Sequence, residues 1–123
     1  MNKLLLFLLV PTLSFADYVF LNRNNDQDEF FIDPQTISRD LNIARFWSYV
    51  NFNSPSAKLG ETKSMRSFEE MDCSKRTLVT LNLSSFSDRD LNGKMTDTWN
   101  PKKEITYISP NSINEVFFNV VCK

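Results

Sequence analysis

The stretch from Ser109 to Lys123, SPNSINEVFFNVVCK, changes the period of the chain. Ile113, Val116, Phe117, Val120 and Val121 recur at spacings of three, four, seven and eight residues, which is one face of an α-helix. Ser109 is a good N-cap, and Pro110 fits the first helical position, where a missing amide hydrogen costs little. The expectation is an amphipathic helix of about three turns. Its apolar stripe must be buried against something, and the rest of the chain reads only as strands. A membrane-surface role would call for Lys or Arg on the polar face, where this helix carries Asn and Glu.

The strands follow in order. Residues 17–22 (DYVFLN) are β-branched and aromatic and end in the polar turn cluster NRNNDQD. DEFFID reads as a second strand, stopped by Pro34, and DPQTISRDLN as a connection with Ile37 as its buried anchor. The most strand-like run is NIARFWSYVNF, residues 42–52. Period two places Ala44, Phe46, Val50 and Phe52 on a core face and Ile43, Arg45, Trp47 and Tyr49 on the other. If that second face is open, Arg45, Trp47 and Tyr49 form a candidate contact surface; if the helix covers it, Trp47 is ordinary core.

After the loop NSPSAKLG, residues 61–72 read as a polar strand. Residues 76–86 read as a cleaner one, with Val79, Leu81 and Leu83 on one face, and Cys73 lies at the junction. Asn92 and Gly93 suit a tight turn, since glycine tolerates positive φ. Short strands are expected from Met95 towards Trp99 and, after NPKK, from Glu104 to Ile108. Lys102 and Lys103 make a weaker basic candidate patch near Trp99, against the plainer reading of a solvated turn.

The N-terminus, MNKLLLFLLVPTLSFA, joins Lys3 to an unbroken apolar run and a small-x-small site at Ser14 and Ala16. That is an export signal with cleavage expected after Ala16, and its apolar run is too short to span a bilayer. Removing 16 of the 123 residues leaves 107, a size suited to one domain over 17–123. No cysteine follows the apolar run to accept a lipid, so the expected product is soluble, periplasmic or secreted. Lys3 is the one charge removed, taking the net charge from −1 to −2. A chain so nearly neutral gives no basic footprint for nucleic acid.

The chain has no histidine and two cysteines. Without histidine, most hydrolase triads and most zinc sites are excluded, and two cysteines alone cannot close a zinc site. There is no phosphate-cradling glycine motif, and no metal or cofactor is expected. Glu69, Glu70 and Asp72 form the one dense group of carboxylates. Alternation puts Glu70 and Asp72 on one side of a strand and Glu69 on the other, a pattern of strand edges more than of active sites. No enzyme is expected. In an exported chain the even cysteine count reads as a disulfide between Cys73 and Cys122, tying the end of the helix to the middle of the sheet. A reactive thiol would need a base, and a redox pair would usually be CxxC.

Several of these features occur in one order: an export signal, the DPQTISRD turn, ARFWSYV, a strand ending in Asp72–Cys73, an apolar strand, and YISPNSINEVFFNVVC. In this the chain resembles the surface-adhesin protein E family of proteobacteria, though Asn111 stands where that family usually has Gly. The resemblance implies an α+β fold: a single antiparallel sheet of about six strands with the C-terminal helix packed on it and tied by the disulfide. It also implies a non-catalytic surface adhesin that binds host extracellular-matrix or plasma proteins and can form a homodimer. The residues leave a second function open, a periplasmic inhibitor or accessory protein that binds a bacterial partner.

Overall fold

The computed structural model describes residues 17–54 and 61–123. The export segment, its cleavage position and residues 55–60 of the loop lie outside the described residues. The alternating runs form eight strands: β1 (Val19–Arg23), β2 (Glu29–Ile32), β3 (Ser38–Asp40), β4 (Ile43–Asn51), β5 (Ser64–Asp72), β6 (Thr77–Phe86), β7 (Met95–Trp99) and β8 (Thr106–Tyr107). One helix, α1 (Ile113–Val121), ends the chain. All pairings are antiparallel, and six strands run in the order β1-β2-β4-β5-β6-β7, with β3 on β4 and β8 on β6.

β2 and β3 share one side of β4, β2 against Ser48–Asn51 and β3 against Ile43–Arg45. Pro34 cannot donate to a ladder, so the strand breaks there into a 3-10 turn, Pro34–Thr36, capped by the Asp33 side chain. At the gap the Trp47 N–H donates to Thr36 Oγ1 (3.1 Å) and the Asp33 N–H donates to the Trp47 carbonyl (3.1 Å). The interrupted ladder therefore leaves no backbone group of Trp47 unsatisfied. β3 is the strand that the sequence hid inside a connection, because Ser38, Arg39 and Asp40 are all exposed.

One face of the sheet carries Ile32, Ala44, Phe46 and Met71, and α1 closes over it with Phe117, Phe118 and Val121. The Phe117 ring stacks on Phe46 (5.7 Å between centroids) and meets Phe30 edge-on at 6.3 Å. A fully buried side chain such as Phe46 contributes about 1.5–3 kcal/mol by leaving water. The opposite face, with Arg45 and Trp47, is not under the helix. This is a single antiparallel sheet with one packed helix, as the sequence implied.

The helix begins three residues later than Ser109 suggests. Ser112 is its N-cap, with Oγ accepting from the Glu115 N–H (3.2 Å), while Glu115 Oε1 accepts from the Asn111 N–H (3.2 Å). This exchange is close to a capping box and wins over the Ser109–Pro110 start. Asn111 itself has φ +61, which interrupts any helix running on from Pro110. A left-handed residue there suits Gly first and Asn next, so Asn111 adopts the conformation at small cost. The buried stripe is also rotated: Phe118 is inside, and Val120 is 39 % exposed. The Arg76 guanidinium lies 4.4 Å from the Phe118 ring centroid.

Two further expectations change. Phe68 pairs with Asn82 but Glu69 with Thr80, so Leu81 is an extra residue on β6. Residues directly opposite in a ladder share a face, and one extra residue reverses the alternation beyond it. Val79, opposite Glu70, therefore lies on the Arg45 face, and Leu83, opposite Ser67, on the helix face. The β6–β7 connection is also longer than an Asn-Gly hairpin. It contains a 3-10 turn, Arg89–Leu91, and Gly93, at φ +75, closes it where Lys94 N–H donates to Ser87 Oγ (2.8 Å).

The disulfide is formed: Cys73, in the turn after β5, joins Cys122 at the C-cap of α1, with Cα atoms 5.5 Å apart. The same turn holds the start of the helix, through an ion pair of Arg76 with Glu115 (2.9 Å). Arg39 Nη1 donates to the Val121 carbonyl at 3.2 Å, a cation at the negative end of the helix.

Candidate binding face

The face away from α1 is built by alternate residues of β4 and β5. Arg45, Trp47, Tyr49 and Asn51 lie opposite Glu70, Phe68, Arg66 and Ser64. Because the Trp47 N–H and C=O both point towards the Asp33–Thr36 turn, Trp47 and Phe68 form a non-hydrogen-bonded pair, the spacing that brings side chains closest. Their rings stack at 4.7 Å with planes 28° apart. Trp47 and Phe68 are both half-buried, so a ring surface remains towards solvent.

Arg66 completes the patch. Its guanidinium lies 5.2 Å from the Trp47 ring and 5.5 Å from the Phe86 ring, and its Nε is buried without a hydrogen-bond partner. A guanidinium held by two rings keeps its charge at the surface with weak hydration. Beside it, Tyr18, Asp33, Thr36, Trp47 and Arg66 surround a hollow of about 280 Å3. Burial raises the Tyr18 phenol above its usual value, and the Arg66 charge works against that rise. At the other end of the patch Arg45 Nε pairs with Glu70 Oε1 at 2.9 Å. The aromatic surface continues to the sheet edge through Phe31 and Phe20, which is 44 % exposed with Arg23 over its ring.

The structure divides the residues that the sequence grouped. Arg45 and Trp47 share the open face. Tyr49 shares it by register but is 7 % exposed: its ring stacks on Phe31 (4.4 Å, 6° between planes) and takes Tyr18 edge-on. Its hydroxyl donates to Asp90 Oδ1 at 3.0 Å, and burial together with that carboxylate raises the phenol far above its usual range. Tyr49 is therefore a support beneath the face, because the β6–β7 connection folds back over it, an arrangement that alternation on one strand cannot reveal. Lys102 and Lys103 are exposed beyond β7. Their neighbour Trp99 pairs with Leu83 and so belongs to the helix face, on the other side of the sheet from Trp47. Sequence reasoning missed Arg66 and Phe68, although the alternation Arg66, Phe68, Glu70 on β5 was there to be read.

The three carboxylates separate as expected. Glu70 and Asp72 share the Arg45 face, and Glu69 lies opposite Phe46 on the helix face. Among the described residues no group of His, Cys, Asp and Glu is placed to hold a metal ion. No helix among them is long and apolar enough to cross a membrane.

The family model described as surface-adhesin protein E matches residues 18–123. Solved structures of Haemophilus influenzae protein E share the fold. Crystal form II superposes with a TM-score of 0.67 at 20 % identity, covering 91 % of each chain. The selenomethionine form gives 0.64 at 18 % identity, covering 91 % of this chain and 90 % of that one. Protein E from non-typeable Haemophilus influenzae gives 0.61 at 19 %, covering 91 % and 79 %. No curated protein matches the sequence.

Proposed function

The chain belongs to the surface-adhesin protein E family, and from that premise we propose that it is an exported, non-catalytic module that binds a host extracellular-matrix or plasma protein through the Trp47 face. The segment up to Ala16 directs export and is removed by cleavage after Ala16. The observation that carries the reading is the Trp47–Phe68 stack with Arg66 over it, on the one broad sheet face without a helix. Trp, Tyr and Arg dominate the energetics of protein interfaces because they bury much area at small entropic cost. Arg45 and Glu70 supply a polar rim, and Tyr49 holds the face rigid from below.

The test is binding of the oxidised protein to immobilised matrix and plasma proteins, with the producing organism's periplasmic extract alongside. Trp47→Ala and Arg66→Ala should each weaken host-protein binding at least about tenfold, an ordinary hot-spot loss, while the melting transition remains cooperative. Capture of a periplasmic protein with no host binding would overturn the reading in favour of an accessory role. Unfolding of Trp47→Ala would instead mark that residue as core, leaving Arg66→Ala to decide.

A further inference from the structure

The helix face carries a second feature, independent of the Trp47 face. Glu69 is largely buried on β5, yet among the described residues lining its cleft there is no cation. Its Oε2 accepts from Thr80 Oγ1 at 2.8 Å. Burial pushes the carboxyl up to about 7, against the Thr80 and Ser67 hydroxyls, which favour the carboxylate. A buried carboxyl ordinarily acquires a basic partner; here the sheet supplies only neutral hydroxyls.

Glu69 lines a cleft of about 80 Å3 between α1 and the sheet. A water molecule occupies about 10–15 Å3 on this measure, so the cleft accepts a group of several atoms. Phe30, Phe46, Leu78 and Phe117 form apolar walls, and Ser48, Ser67 and Asn114 add neutral polar groups to the lining. Glu69 is the sole charged residue among those lining it.

We propose that this cleft binds the side chain of a lysine from a partner protein, with the alkyl stem along the apolar walls and the ammonium against Glu69. The chemistry matches part by part. An apolar channel takes a (CH2)4 stem, a single negative group at its base takes a compact point charge, and hydroxyl and amide oxygens accept the remaining ammonium hydrogens. Aromatic walls add attraction for the same cation. An anionic ligand would face the Glu69 carboxylate, and a purely apolar one would leave it buried and unpaired.

The experiment titrates the oxidised, isotope-labelled protein with Nα-acetyl-lysine methylamide and, in parallel, with the uncharged norleucine analogue, following the Glu69 side-chain carboxyl carbon and the Phe117 ring by NMR. Saturable shifts at both residues with the lysine probe, together with a fall of the Glu69 pKa in the saturated state, are expected. Glu69→Gln should weaken lysine-probe binding at least about tenfold, the loss typical of one charged hydrogen-bonded partner. Equal response to the norleucine probe, unchanged affinity in Glu69→Gln, or shifts confined to Trp47 and Phe68 would each overturn the proposal. Those resonances also separate it from the Trp47 reading, which this titration leaves untouched.

Discussion

Asn51 and Asp90 hold one another by two hydrogen bonds: Asn51 Nδ2 donates to Asp90 Oδ1 at 2.7 Å, and the Asp90 N–H donates to Asn51 Oδ1 at 2.8 Å. Asn51 is 1 % exposed at the end of β4, and Asp90 has φ +56 in the β6–β7 connection. The pair thus fixes a conformation that a non-glycine residue adopts only at a cost, and it presents the carboxylate that Tyr49 reaches. Asn51→Ala should destabilise the fold by about 1–3 kcal/mol, since the Asp90 N–H loses its acceptor and Asp90 Oδ1 loses one of its two donors, keeping the Tyr49 hydroxyl. Chemical denaturation of the variant against the parent measures it, and Asn51→Asp, which sets two carboxylates together, should cost more.

Cys73–Cys122 closes 49 residues of separation. In the chain-entropy model a loop of that length corresponds to about 4 kcal/mol, an upper figure because residual structure in the denatured chain reduces it. Reductant should therefore lower the urea midpoint substantially, and the double variant Cys73→Ser, Cys122→Ser should match the reduced protein. Thiol reagents should leave the native oxidised protein unlabelled.

Gly93 is a second conformational point. A Cβ there would press into Ser87 Oγ, which accepts the Lys94 N–H, and the positive φ would be strained as well. Gly93→Ala should cost at least about 1 kcal/mol, against the stabilisation that Gly→Ala often brings at compatible sites. Thermal melts report the difference.

The helix cap offers a smaller effect. Ser112→Ala should lower stability by about 1 kcal/mol, because the Glu115 N–H loses the Ser112 Oγ and keeps only the Ser112 carbonyl. Ser109→Ala, at the position that the sequence alone favoured as cap, should cost less; the two melts side by side distinguish the two helix starts.

Glu69 predicts a pH dependence. Its carboxyl is raised from the ordinary 4.5 to about 7, so the folded protein holds the proton more tightly than the unfolded chain does. The resulting stabilisation is complete below about 4.5 and is lost as pH rises through about 7, up to about 3 kcal/mol from this group. The parent should lose stability across that window relative to Glu69→Gln, whose profile should lack this component. A difference between the two proteins that stays flat with pH would contradict it.

Much of this was legible in local pattern. Alternation located β1, β2 and β4 to β7, and it separated Glu69 from Glu70 and Asp72, because a strand has one strict period. The same rule failed on β6, where Leu81 bulges and reverses the faces of Val79 and Leu83. It also failed on β3, whose side chains are exposed and whose identity comes only from its pairing with β4. The candidate face was half legible: Arg45 and Trp47 lie next to each other on one strand's face, whereas Phe68 and Arg66 join them only once β5 is in register.

By itself the sequence determined a β-rich chain with one C-terminal helix, one possible intramolecular disulfide and no histidine chemistry, because these depend on residue type and short-range spacing. Tertiary structure decided which sheet face the helix covers, and so that Trp47 stays open, and it folded the β6–β7 connection over Tyr49 on that same face. It also decided that Glu69 comes to line a cleft without a cation. Those outcomes depend on contacts between residues far apart in sequence, such as Tyr49 with Asp90 and Phe46 with Phe117, which no local period encodes.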